Sequence, residues 1–97
     1  MATGHHASLD GSVWLMLGFW GGYRIDAELA GYNETLCDDE CRALYSVARQ
    51  AISCDASLAH MEPGGWAVDT VWLNMDGVSR SRRLRVELPE PFYTTIQ

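Results

Sequence analysis

Hydrophobic residues fill nearly every position of Val13–Trp20, "VWLMLGFW", and past Gly21-Gly22 they fall to every second one. Tyr23, Ile25, Ala27 and Leu29 then alternate with Arg24, Asp26 and Glu28. A run apolar on both faces followed by a period of two predicts a strand covered on both sides and then a half-exposed strand. Paired glycines supply the positive φ that two-residue turns require, so 13–20 and 23–30 are expected to form a hairpin. Gly18, inside the first arm, marks an expected bulge or close backbone approach. A second hairpin is expected from Trp66–Met75 and Val78–Leu88 around Asp76-Gly77, with Leu84, Val86 and Leu88 alternating with Arg83, Arg85 and Glu87. Pro89 and Pro91 end it.

Between the hairpins the period changes. Cys37, Cys41, Leu44, Ala48, Ala51 and Ile52 fall on one stripe, while Asp38, Asp39, Arg42, Ser46, Arg49 and Gln50 lie off it. This spacing predicts a surface helix of about five turns with one buried face. Thr35 is the expected N-cap, and Asp38, Asp39 and Glu40 crowd the first turn, where the helix dipole favours negative charge. Pro63-Gly64-Gly65 breaks the chain before the second hairpin. The element order is ββαββ, an α+β fold with a four-stranded, mainly antiparallel sheet from two hairpins and one helix packed on it. Residues 1–11 read as a flexible N-terminal arm, in which His5 and His6 are incidental, and 12–97 as a single domain.

Composition narrows the partners more than the fold. Ninety-seven residues suffice for one core but not for a separate cofactor domain. The longest apolar run is eight residues, where a membrane-spanning helix needs about 20, and no basic residue precedes it as in a secretory signal. With an odd number of cysteines, three, the expected compartment is a reducing cytoplasm, with no membrane association. The net charge is −6, divided as −8 over residues 1–79 and +2 over 80–97, and all seven basic residues are Arg. An acidic body repels nucleic acid and attracts basic protein surfaces.

Three constellations carry candidate chemistry. Cys37, Cys41, Cys54 and His60 have the ligand types of a zinc site, but Cys37 and Cys41 stand four apart on the apolar helix stripe, where cysteine packs as a small hydrophobe. Core packing is the favoured reading; a zinc-containing module and a small enzyme using the Cys37 thiol or His60 are the alternatives. No metal or other cofactor is expected. Arg80, Arg82, Arg83 and Arg85 read as a solvated edge strand blunted by charge, or as a second interface. Asp26, Glu28, Glu34, Asp38, Asp39 and Glu40, with Tyr23 and Tyr32 beside them, form the expected partner-binding patch. No nucleotide-binding, hydrolase or metalloprotease motif is present, so no catalytic residue is assigned.

In composition this short, acidic, lysine-free chain is similar to small phage and mobile-element inhibitors, including anti-CRISPR and toxin-immunity proteins. The resemblance implies a bacterial or phage protein that works by binding. The expected function is therefore a non-catalytic module engaging a larger basic protein or a nucleic-acid-binding complex, without touching nucleic acid directly. A homodimer, with the arginine strand of one copy on the acidic patch of another, is a compatible variant.

Overall fold

The structure is a computed structural model and describes residues 4–7, 11–55, 58 and 60–90. Both hairpins and the helix form where the patterns place them. The strands are β1 (Gly4–Ala7), β2 (Val13–Trp20), β3 (Tyr23–Leu29), β4 (Trp66–Met75) and β5 (Val78–Glu87), with the helix α1 (Asp38–Cys54) between β3 and β4. Gly21 and Gly22 turn the first hairpin at φ 59° and 86°, and Asp76 and Gly77 turn the second at 53° and 78°. These positive angles match the twist of the flanking strands.

The hairpins join through an antiparallel β3–β5 pairing, giving the sheet order β1-β2-β3-β5-β4. Two expectations change here. Gly4–Ala7, assigned by sequence to a flexible arm, instead pairs with β2 as a fifth strand. The arginine strand β5 is not an edge: it is bonded to β3 on one side and to β4 on the other. Among the described residues the long edge is β4, because the β3–β5 pairing that joins the two hairpins places β5 inside the sheet.

One sheet face carries the helix. Ile25, Ala27, Leu73, Leu84 and Val86 pack under Leu44 and Ala48 of α1, and a neighbouring cluster joins Val13, Leu15 and Leu29 to Cys41. Leu44 is fully buried, and truncating such a side chain costs about 2–5 kcal/mol. The helix starts later than expected: Cys37 is the N-cap, with no side-chain cap bond, and Thr35 stands outside it. Cys37 keeps an extended backbone, and Asp38, Asp39 and Glu40 answer the dipole in place of a cap.

Gly18 marks the expected bulge, where the β2–β3 register shifts between Met16 and Gly18. Its φ is +155°, and a Cβ there would lie 3.1 Å from the Tyr45 ring. The missing side chain lets Tyr45 of α1 lie against β2, and its hydroxyl donates to the Phe19 carbonyl. The bulge thus sets where the helix seats on the sheet.

Candidate protein-binding surface

Cross-strand register brings the arginines and carboxylates together on the face opposite α1. Asp26 lies opposite Arg85, and Arg24 opposite Glu87. Asp26 is fully buried, and its carboxylate accepts Arg24 Nε at 3.1 Å and Arg85 Nη2 at 2.9 Å. Arg83 donates to Glu28 at 3.1 Å. Arg85 also lies over the ring of buried Trp14, 4.4 Å from its centroid, a cation–π contact that shields the network from water.

Arg82 points the other way, toward the helix. Its guanidinium donates from Nη1 to Glu34 at 2.8 Å and from Nε to buried Glu40 at 3.0 Å, tying β5 to the start of α1 and to the loop before it. Burial alone would raise the Glu34 carboxyl pKa. The Ala30 N–H and the Arg82 guanidinium outweigh it and hold Glu34 below its ordinary value. Burial likewise opposes the charge on Arg82, and its two carboxylates reverse that, so its pKa is raised.

The acidic patch and the arginine strand read from sequence are thus largely two halves of one internal network. Asp26, Glu28, Glu34 and Glu40 are spent on Arg24, Arg82, Arg83 and Arg85 of the same chain. The charge contact expected between two copies is made within one. Of the remaining expected partner residues, Asp38 and Asp39 are exposed, Asp39 pairing with Arg42 one turn on. Tyr32 is exposed, whereas Tyr23 is half-buried and donates its hydroxyl to the Leu58 carbonyl at 2.7 Å. Exposed Arg80 pairs in register with Leu73 and lies within electrostatic reach of Glu34.

The cysteine–histidine set does not assemble. Cys37 and Cys54 sit at opposite ends of α1, about 25 Å apart at 1.5 Å per residue, so one ion cannot hold both. His60 follows the C-terminal end of the helix, through turns at Asp55–Leu58 and Leu58–Met61, which also separates it from Cys37 as a nucleophile–base pair. Cys41 is buried, and burial, with Asp38 adding to it, pushes its thiol pKa up, opposite to what a nucleophile needs. All three thiols are free, and among the described residues no three His, Cys, Asp or Glu side chains gather to hold a metal.

What stands exposed instead is β4. Trp66 and Trp72 are 62% and 70% exposed, both on the face opposite the helix, and Phe19 at 55% shares that face. On the helix side, α1 leaves β4 partly uncovered, and a groove of about 150 Å³ runs between them, lined by Val47, Ala51, Leu58, Ala67 and Val71 with Asp55 and Asp69 among its walls. Six positions apart on one strand, Trp66 and Trp72 share a face by alternation. Their significance depends on β4 being the edge, which needs the sheet order.

No helix among the described residues is long and apolar enough to cross a membrane. Compared with protein-family models, curated proteins and solved structures, the chain matches none.

Proposed function

We propose that the chain is a non-catalytic protein-binding module of the small inhibitor or immunity type. It works in a cytoplasm by engaging a larger basic protein, alone or within a nucleic-acid-binding complex. The observation behind this reading is the contrast between arginines engaged internally and two large exposed tryptophans on an edge strand of a chain with net charge −6. Tryptophan is among the residues that dominate interface energetics. Arginines committed to carboxylates are poor phosphate ligands, which supports a protein partner over nucleic acid.

The test is affinity capture with the full chain at low and high salt, comparing the native sequence with Trp66→Ser/Trp72→Ser and with Asp38→Lys/Asp39→Lys. The expected result is a basic protein retained at low salt, released at high salt, lost with the tryptophan pair and kept with the aspartate pair. Failure to retain any partner in a salt-dependent way would remove the reading. Loss with the aspartate pair alone would return the contact to the helix start.

A further inference from the structure

Resting on that reading of a basic partner, we infer that β4 receives the partner as an added strand, and that the segment it takes is extended and basic, alternating cationic with apolar residues. Four observations converge on this edge. First, β4 is ten residues long and among the described residues pairs only with β5, so alternate N–H and C=O groups along it face away from that ladder. Long unprotected edges are templates for strand addition.

Second, the Thr70 amide shows how the edge is held in the absence of a partner. Its N–H donates at 2.8 Å to the carboxylate of Asp69, the preceding residue, outside the β5 ladder. Asp69 is exposed, so a cationic side chain arriving there competes for the carboxylate and releases the amide to an incoming carbonyl. A neutral or acidic strand has no such means of displacing it.

Third, the two faces of β4 differ in what they offer. Trp66, Val68, Thr70 and Trp72 lie along the open face, with a tryptophan toward each end of the strand, whereas Ala67, Asp69 and Val71 border the groove against α1. A cavity near 150 Å³ admits one benzene-sized group, which suits the aliphatic stem of a Lys or Arg whose charged head reaches Asp69. Side chains of an added strand alternate between these faces, so its apolar residues meet the tryptophans and its basic ones meet the groove.

Fourth, the charges on β4 itself and at its ends are all negative. Asp69 lies on the strand, Asp76 in its turn, Asp55 across the groove and Glu62 just before its start. Glu90 approaches Gly64 there, its carboxylate 2.9 Å from where a Cβ would stand. Of the β5 arginines in register with β4, Arg82, Arg83 and Arg85 are bound to carboxylates, and Arg80, opposite Leu73 toward the turn, is the exposed cation beside this edge.

The experiment is titration of the isotopically labelled full chain with a capped heptapeptide alternating Val with Lys and Arg. A peptide of the same composition in blocked order and one with Glu for each basic residue serve as controls. Amide shifts are expected to cluster on residues 66–75 and on Val47 and Ala51, with the blocked and acidic peptides binding at least tenfold more weakly. Asp69→Asn should weaken the alternating peptide about fivefold. Thr70→Pro, which removes an amide the β5 ladder does not use, should abolish binding while the remaining spectrum stays native. Shifts centred on Asp38 and Asp39, or equal binding of the blocked peptide, would overturn the inference, as would dimerisation through β4 without peptide binding. A salt-sensitive partner whose capture is indifferent to Thr70→Pro and Asp69→Asn would sink the strand-addition mechanism and leave the proposed function standing.

Discussion

Replacing Asp26 separates a binding residue from a structural one. Its side chain is fully buried and faces two guanidinium groups, so Asp26→Ala leaves Arg24 and Arg85 without their shared counter-ion. Breaking a buried pair from one side costs about 3–5 kcal/mol. Arg24 and Arg85 retain 29% and 16% exposure and can turn partly to water, which places the loss near the lower end, about 3 kcal/mol. Asp26→Asn keeps the shape and one acceptor but loses the charge, for about 2 kcal/mol. Urea unfolding followed by far-ultraviolet circular dichroism reads both. With a slope of about 1 kcal/mol per molar, the midpoint should fall by about 3 M for alanine and about 2 M for asparagine. A further check is the double variant with Arg85→Met, which should recover much of the loss, because an apolar replacement for a buried pair is often neutral. Midpoints within about 0.5 M of the native chain for both single variants would refute the internal role. Asp26 would then return to the list of candidate contact residues.

The remaining predictions test other joints of the same framework. Gly18→Ala should cost about 1–3 kcal/mol in the same urea assay, because a Cβ at that φ is strained and meets the Tyr45 ring. Glu34 has a lowered folded pKa, so its contribution is complete above the ordinary carboxyl value and is lost as pH falls through the folded one; Glu34→Gln should flatten stability against pH in that acid window. Arg82→Lys should destabilise despite keeping the charge, since an ammonium cannot reproduce the planar fork that serves Glu34 and Glu40 together; a loss of about 1–2 kcal/mol in urea is expected. With a maleimide at neutral pH, exposed Cys37 and Cys54 should label quickly and buried Cys41 only on unfolding, which mass spectrometry of proteolytic fragments resolves.

Local chemistry was legible in the sequence to the extent that it is local. Gly21-Gly22 and Asp76-Gly77 announced their turns because positive φ is a property of two residues, and the stripe through Cys41, Leu44 and Ala48 announced the buried helix face. The N-cap was misplaced because Thr35 has the right chemistry but the chain delays the helix to Asp38. Cys37 shared the apolar stripe by spacing yet is exposed, since the helix begins at Asp38 and leaves Cys37 as an extended N-cap residue. The arginine and acidic residues were all picked out, but as separate surfaces. Only the β3–β5 register, a contact between segments almost sixty residues apart, shows that Asp26 and Arg85 were chosen for each other.

That register also explains why the net charge is informative about binding although most of the candidate acidic patch is not. On β5, Arg85 and Arg83 neutralise Asp26 and Glu28 of β3, and Arg82 neutralises Glu34 and Glu40 on the helix side, so these four carboxylates contribute little to the outward field. The surplus of six negative charges must then reside on other carboxylates, and among them Glu62, Asp69, Asp76 and Glu90 lie on β4 or beside its ends. Removing Asp69 alone therefore changes the potential at the edge by a larger fraction than removing any acid of the network, and should leave the fold intact because among the described residues its exposed carboxylate accepts from the Thr70 amide alone. The same substitution in the interior, at Asp26, reverses that ordering: a large change in stability with little change in field. The sequence treats the two aspartates alike, and what distinguishes them is whether an arginine of β5 stands opposite.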